Sequence, residues 1–314
     1  MTNIKVESLS NEINQYMEAI TSLKQICMSR IRNVFLYPDF IFNLTALERE
    51  QQRKINFLHS FTDKIVQKHI YALNAQNDIK YGTTHKTFLD NIIEMSYQDK
   101  YPQEMIHDNL ITMLIGGSDT IATAVDFVIL MLANFPQIQE KVYRELWKIY
   151  KTETPKSAPI KYEDLQHMDY LDRVIKETMR LFPSIPLIGR YLTKDIKIGE
   201  NILPKDTDVI LSILDLHRNK KYWPNPLVFD PDRFLSEKIE TSYKHYMPFG
   251  YGLRNCIGMR YAMISMKVIL AVLIRTFMFK VEKSVQIDKI KLNMNIILCT
   301  NEPIQVIMKK RELH

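Results

Sequence analysis

The stretch Pro248–Arg260, PFGYGLRNCIGMR, sets Cys256 among three glycines, with Arg254 two residues before it. The chain has 314 residues and only eight glycines, so this concentration is a local demand. Glycine is used where φ must be positive or where another group comes close to the backbone. Beyond the stretch, Met259–Phe277 has a helical pattern. That places the thiol just before a helix N-terminus, whose positive dipole end favours a thiolate. An ionised sulfur also needs backbone N–H donors and shielding from solvent. The plain alternative is an inert core cysteine. The three glycines and the arginine gathered around Cys256 weigh against it.

The rest of the composition narrows the class. Hydrophobic residues make up 46% of the chain, enough for a large core, and the net charge of +6 is mildly basic. There is no Lys/Arg-rich block and no interleaving of aromatic with basic residues, so nucleic-acid binding is not expected. Cys27, Cys256 and Cys299 are sparse and odd in number, which points away from a disulfide framework, and Cys27 and Cys299 read as core cysteines. No CxxC, HxxxH or HExxH pattern supports a zinc site. The apolar windows Leu110–Phe135 and Tyr261–Phe279 are interrupted by Asp119, Asp126, Lys267 and Arg275, so neither reads as a membrane span.

Apolar periodicity predicts helices over about Glu12–Val34, Leu47–Ala75, Thr87–Ser96, Gln103–Asn134, Ile138–Thr152 and Leu171–Leu181. After Gly189, β-branched runs predict short strands within RYLTKDIKI, DTDVILSIL and FMFKVEK, and a C-terminal hairpin turning near Asn301–Pro303. The expected fold class is mainly α (α+β), with a helix-rich body and small late sheets.

Two further motifs sit on these elements. Glu177 and Arg180 of KETMR lie three residues apart and can bridge on one helix face. Taken alone the spacing carries nothing, since Glu50 and Arg53 repeat it by chance. In the longest helix, IGGSDT (Ile115–Thr120) spends two glycines where each costs about 1 kcal/mol relative to alanine. Apolar residues flank it on both sides, so the helix reads as buried nearly all round, with Asp119 and Thr120 placed to handle a proton.

The order of these motifs, from IGGSDT through KETMRLFPSIPLIGR and WPNPLVFDPDRF to the cysteine loop, resembles the cytochrome P450 haem-thiolate monooxygenases. YPDFIFNLT (Tyr37–Thr45) and LHSFTDKIV (Leu58–Val66) are most similar to the insect family 4 branch. The resemblance implies a partial P450 domain over residues 1–314, with the first third of the family's domain and its membrane anchor outside the chain. It implies haem b (iron protoporphyrin IX) with Cys256 as axial iron ligand, and a thiolate there pushes electron density that favours O–O cleavage. It further gives Phe249 packing against the sulfur, and Gly250, Gly252 and Gly258 folding the loop tightly. Arg254 and Arg190 would pair with propionates, Asp119 and Thr120 would deliver protons, and Glu177, Arg180 and Arg233 would form a structural triad. Family 4 enzymes often carry a haem-linking glutamate where Gly116 stands, so no covalent link is expected.

The activity implied is insertion of one oxygen atom of O2 into a C–H bond of a lipophilic substrate, a fatty acid, hormone-like lipid or xenobiotic. NADPH–cytochrome P450 reductase would supply electrons, with cytochrome b5 as a further partner, at the cytosolic face of the endoplasmic reticulum membrane. Arg260 and Lys267 are candidate docking charges. Two other readings stand beside this one: a non-catalytic fragment or splice form lacking a complete haem pocket, and an O2-independent haem-thiolate isomerase.

Overall fold

The computed structural model describes residues 10–76, 86–98, 102–150, 158–235 and 243–311. Its helices are α1 (Ser10–Arg32), α2 (Asp39–Phe42), α3 (Ala46–Gln76), α4 (Phe88–Tyr97), α5 (Gln103–Asn134), α6 (Pro136–Tyr150), α7 (Asp169–Leu181), α8 (Ile213–Arg218) and α9 (Met259–Thr276). Eight short strands follow α7: β1 (Leu187–Tyr191), β2 (Ile196–Ile198), β3 (Asn201–Leu203), β4 (Asp208–Ser212), β5 (Phe277–Lys280), β6 (Leu292–Met294), β7 (Leu298–Thr300) and β8 (Ile307–Lys310). The α+β expectation holds. The chain divides into two compact units, residues 1–116 and 117–314.

The first unit is built from helical stripes. Tyr16, Ala19 and Ile20 of α1 recur at helical spacing, as do Leu58, Phe61 and Ile65 of α3, and all are buried in one cluster with Leu89, Ile93, Ile106 and Leu110. The rings of Tyr16 and Phe61 lie 5.2 Å apart within it. Cys27 falls off the α1 stripe and is exposed, which corrects its reading as a core cysteine.

The second unit packs α6, α7 and α9 around the C-terminal half of α5. Val128, Met131, Leu132, Val142, Leu146, Leu171, Val174, Ile175, Leu270 and Ile274 have essentially no exposure. Each such side chain contributes about 1.5–3 kcal/mol on burial. Phe127 stacks on Phe182 with ring centroids 4.6 Å apart. Helix α7 starts where its amides find a carboxylate: Glu145 of α6 accepts from the N–H groups of Tyr170 (2.6 Å) and Leu171 (3.0 Å). The corner between α5 and α6 is closed by two carboxamides. Asn134 exchanges hydrogen bonds with the backbone of Val285 (both 2.8 Å), and Gln139 does so with Phe279 (both 2.9 Å).

All sheets are two-stranded and antiparallel: β1 with β4, β2 with β3, β5 with β8 and β6 with β7. Two strand expectations need correction. Ile213 and Leu214 begin α8, because Ser212 caps it by accepting from the Asp215 N–H. The hairpin turns at residues 295–297, not near Asn301–Pro303, because β8 pairs with β5 rather than with β7. Cys299, in β7, is exposed and is not a core residue either.

Helix α5 is long and apolar enough to cross a membrane by composition, yet residues 121–134 supply much of the second unit's core. The expectation of burial all round fails further up. Thr112, Met113, Gly116 and Ser118 are exposed, and Asp119 and Thr120 are half-buried. A Cβ at Gly116 would meet nothing within 4 Å, so packing among the described residues does not require that glycine.

Candidate active site

The cysteine loop runs from Met247 to the start of α9. Gly250 donates to the Met247 carbonyl (3.0 Å), Asn255 to that of Gly252 (3.1 Å) and Cys256 to that of Phe249 (2.8 Å). Two of its three glycines are needed for conformation: Gly250 has φ +73° and Gly252 has φ +82°. An L-residue pays about 1–2 kcal/mol in that region. Gly258 is different. It caps α9 at φ −87°, and a Cβ there would lie 3.8 Å from the Cys256 sulfur, an ordinary contact.

Cys256 therefore sits three residues ahead of Met259, at the positive end of an 18-residue helix. It is exposed, and Leu253 (103%) and Ile257 (91%) beside it in sequence are almost fully so. The shielding expected around sulfur is not supplied by the described residues. Phe249 is half-buried and packs against the second unit's core, and its carbonyl is what the Cys256 N–H meets. An exposed thiol on a tight loop, with apolar side chains next to it, fits a flat apolar group carrying a thiophilic metal.

Of the two arginines expected at propionates, Arg254 lies within that loop and Arg190 on β1. Arg254 is exposed, and Arg190 on β1 donates to its neighbour's carbonyl, Gly189 O, at 2.8 Å. Among the described residues neither is paired with a carboxylate. Of the candidate docking charges, Arg260 is exposed and donates to the Tyr162 hydroxyl at 2.8 Å. Lys267 is not free to dock. Its ammonium lies 2.9 Å from Asp172 and donates to the Leu165 carbonyl (3.2 Å). Burial works against the Asp172 carboxylate, but Lys176 and Lys267 hold its pKa below the ordinary value.

Beneath the loop, Glu177 and Arg180 are fully buried and paired twice: Arg180 Nε donates to Glu177 Oε2 (2.7 Å) and Nη2 to Oε1 (2.8 Å). Arg233 Nε lies 3.3 Å from Glu177 Oε1, and the Asp230 N–H donates to the same oxygen at 3.0 Å. The Arg180 guanidinium lies over the Trp223 ring, 5.1 Å from its centroid. Burial pushes the Glu177 carboxyl up, while both guanidiniums and the Asp230 N–H pull the other way. With two cations on one carboxylate, the ionised form is the one this geometry holds.

Asp119 and Thr120 lie on α5, whose C-terminal half shares a core with α9, the helix that Cys256 precedes. A residue the sequence reading passed over ties this part of α5 down. Ser184, after α7, donates from its hydroxyl to the Thr120 carbonyl (2.9 Å), and its own carbonyl accepts from the Leu298 N–H (2.9 Å). His217, which without ligand spacing is expected to be a surface or structural residue, is structural: it is fully buried, and its Nε2 accepts from the Met247 N–H at 2.8 Å. Neither carries a sequence signal, because a serine in FPSIP and a histidine in LHRN are ordinary in loops and short helices.

Comparison with known proteins bears on the family and the fold. The chain is 35% identical over 96% of its length to "Probable cytochrome P450 312a1" of Drosophila melanogaster, and 32% identical over 98% to "Cytochrome P450 4c21" of Blattella germanica. It spans about three-fifths of these relatives, 61% and 62% of their lengths. Among solved structures, a cytochrome P450 crystal structure (CYP102L1) superposes with TM-score 0.77 at 23% identity, covering 95% of this chain and 65% of that one. The family model for cytochrome P450 matches residues 1–308, and the chain belongs to the cytochrome P450 family.

Proposed function

We propose that this chain carries the thiolate end of a haem monooxygenase, with Cys256 as the iron ligand. The observation that carries the reading is the loop itself: two glycines at positive φ, the Cys256 N–H closed onto Phe249 O, and the sulfur set at the start of α9. When bound, haem b would activate O2 with two electrons that begin on NADPH and arrive through a flavoprotein reductase or cytochrome b5. One oxygen atom enters a C–H bond of the substrate, and the other leaves as water with two protons. Asp119 and Thr120 are the groups proposed to hold and pass those protons, with Ser184 fixing the helix at Thr120. Arg190 and Arg254, unpaired with carboxylates among the described residues, are the proposed propionate partners. The apolar segments Asn109–Ile115, Ser184–Ile188 and Ile296–Thr300 support a lipophilic substrate such as a fatty acid, hormone-like lipid or xenobiotic.

Location at the endoplasmic reticulum membrane belongs to the same proposal. Ile31, Val34, Phe35, Tyr37, Phe40 and Leu44 are exposed in one short stretch of the first unit, which supports contact with a lipid surface. The test is the reduced, CO-bound absorption spectrum of the chain supplied with haem. The red-shifted thiolate band is expected in the unaltered chain and lost in Cys256→Ala. Its absence with Cys256 intact overturns the reading and favours a non-catalytic chain, which the exposed sulfur also suits.

A further inference from the structure

The first amide of the cysteine loop is held by a side chain that takes no part in the proposed chemistry. His217, fifth residue of α8, has no exposure, and its Nε2 accepts the Met247 N–H at 2.8 Å. The Met247 carbonyl then receives the Gly250 N–H, the first bond inside the loop. Tyr246 stacks on the imidazole with centroids 5.4 Å apart and planes 23° apart, and its hydroxyl donates to the Lys176 carbonyl of α7 at 3.0 Å. On its backbone side, His217 gives its carbonyl to Arg180 Nη1 at 2.8 Å. One residue thus touches the buried Glu177–Arg180 pair with its main chain and the cysteine loop with its ring.

An N–H donor at Met247 fixes the chemistry of that ring. Nε2 must offer a lone pair, so the proton resides on Nδ1 and the imidazole is neutral. The Met179 and Arg180 backbones at the end of α7 also act on the ring, and Nδ1 closes no hydrogen bond among the described residues. Burial, reinforced by the Arg180 guanidinium, lowers the His217 pKa to about 3, which keeps the acceptor form. Trp223 lies edge-on to the ring at 6.4 Å, so three sides of the imidazole are aromatic or backbone.

We propose that His217 is a positioning residue for Cys256: its neutral imidazole sets where the Met247–Cys256 loop leaves the core, and so where the sulfur stands. The inference rests on the haem-thiolate reading of Cys256, and its test separates the two.

His217→Phe keeps an aromatic ring beside Tyr246 and removes the acceptor, whereas His217→Gln offers an amide oxygen in its place. In the haem-free chain, the Met247 and Gly250 amides are expected to exchange with solvent at least about tenfold faster in His217→Phe, with recovery in His217→Gln. Peptides of the first unit should be unchanged. With haem added, His217→Phe should lose a large part of the red-shifted CO band and His217→Gln should regain it. Slow exchange together with a full band in His217→Phe overturns the proposal. If the unaltered chain shows no such band, the thiolate reading fails, and the exchange data still decide whether the tether exists. If His217→Phe loses protection throughout the second unit, nitrogen NMR of the unaltered, histidine-labelled chain decides. A proton on Nδ1 supports the tether, and a proton on Nε2 rules it out.

Discussion

Acidification should weaken the second unit through His217 alone by an amount that can be worked out. In the unfolded chain a histidine titrates near 6.5, whereas in the fold His217 is pushed down to about 3 by burial and by Arg180. The group is fully buried, so solvent screening does not dilute the effect. Its folded pKa lies below the unfolded one, so its contribution is complete above pH 6.5. As pH falls below that, the unfolded chain takes up a proton that the folded chain refuses, and stability drops until pH nears 3. At about 1.4 kcal/mol per unit, the loss between pH 7.5 and pH 5 is about 2 kcal/mol. Urea unfolding followed by tryptophan fluorescence is the assay, in a Trp147→Phe background that leaves Trp223 as reporter. Trp223 is buried 6.4 Å from the imidazole, so it reads the neighbourhood concerned. The unaltered residue should lose about 2 kcal/mol more than His217→Gln over this range. Equal losses would mean that His217 accepts a proton in the fold, and the argument for a neutral acceptor would collapse.

Three other outcomes follow from the same contacts. Arg180→Leu should cost about 3–5 kcal/mol in urea unfolding, because Glu177 keeps its burial and loses its bidentate partner; a cost below about 1 kcal/mol would contradict that account. Gly252→Ala should destabilise the cysteine loop by about 1–2 kcal/mol through its positive φ, read as faster exchange of the Asn255 and Cys256 amides. Gly258→Ala should change the same amides little, and equal effects at the two sites would refute the distinction. Ser184→Ala removes the hydroxyl bonded to Thr120 O and should cost about 1 kcal/mol, with faster exchange across residues 120–124; no change there would mean that Ser184 does not brace α5.

What the sequence disclosed divides along a physical line. Features written in neighbouring residues were legible: the bounds of α5, the pairing of Glu177 with Arg180 on one helical face, and positive φ at Gly250 and Gly252. Features that depend on a distant partner were not. Nothing in the local pattern tells that β8 pairs with β5, so the hairpin turn was expected several residues too late. Helical periodicity marks Ile121–Ala133 as core but does not say that the turn before it is open on the described side. His217 meets Met247 across 30 positions and Ser184 meets Thr120 across 64, spacings for which no local signal exists.

The carboxamides of Asn134 and Gln139 have a consequence for the order in which the chain can mature. Their partners, Val285 and Phe279, lie 151 and 140 residues downstream. A chain growing from its N-terminus therefore presents α5 and α6 long before those amides can be satisfied by β5 and the segment after it. Until residues 279–285 emerge, that corner exposes unmet polar groups beside a large apolar surface, the condition under which chaperones engage a nascent chain. Truncation just short of β5 would strand the molecule there, with helices α1–α9 made and its core unsealed.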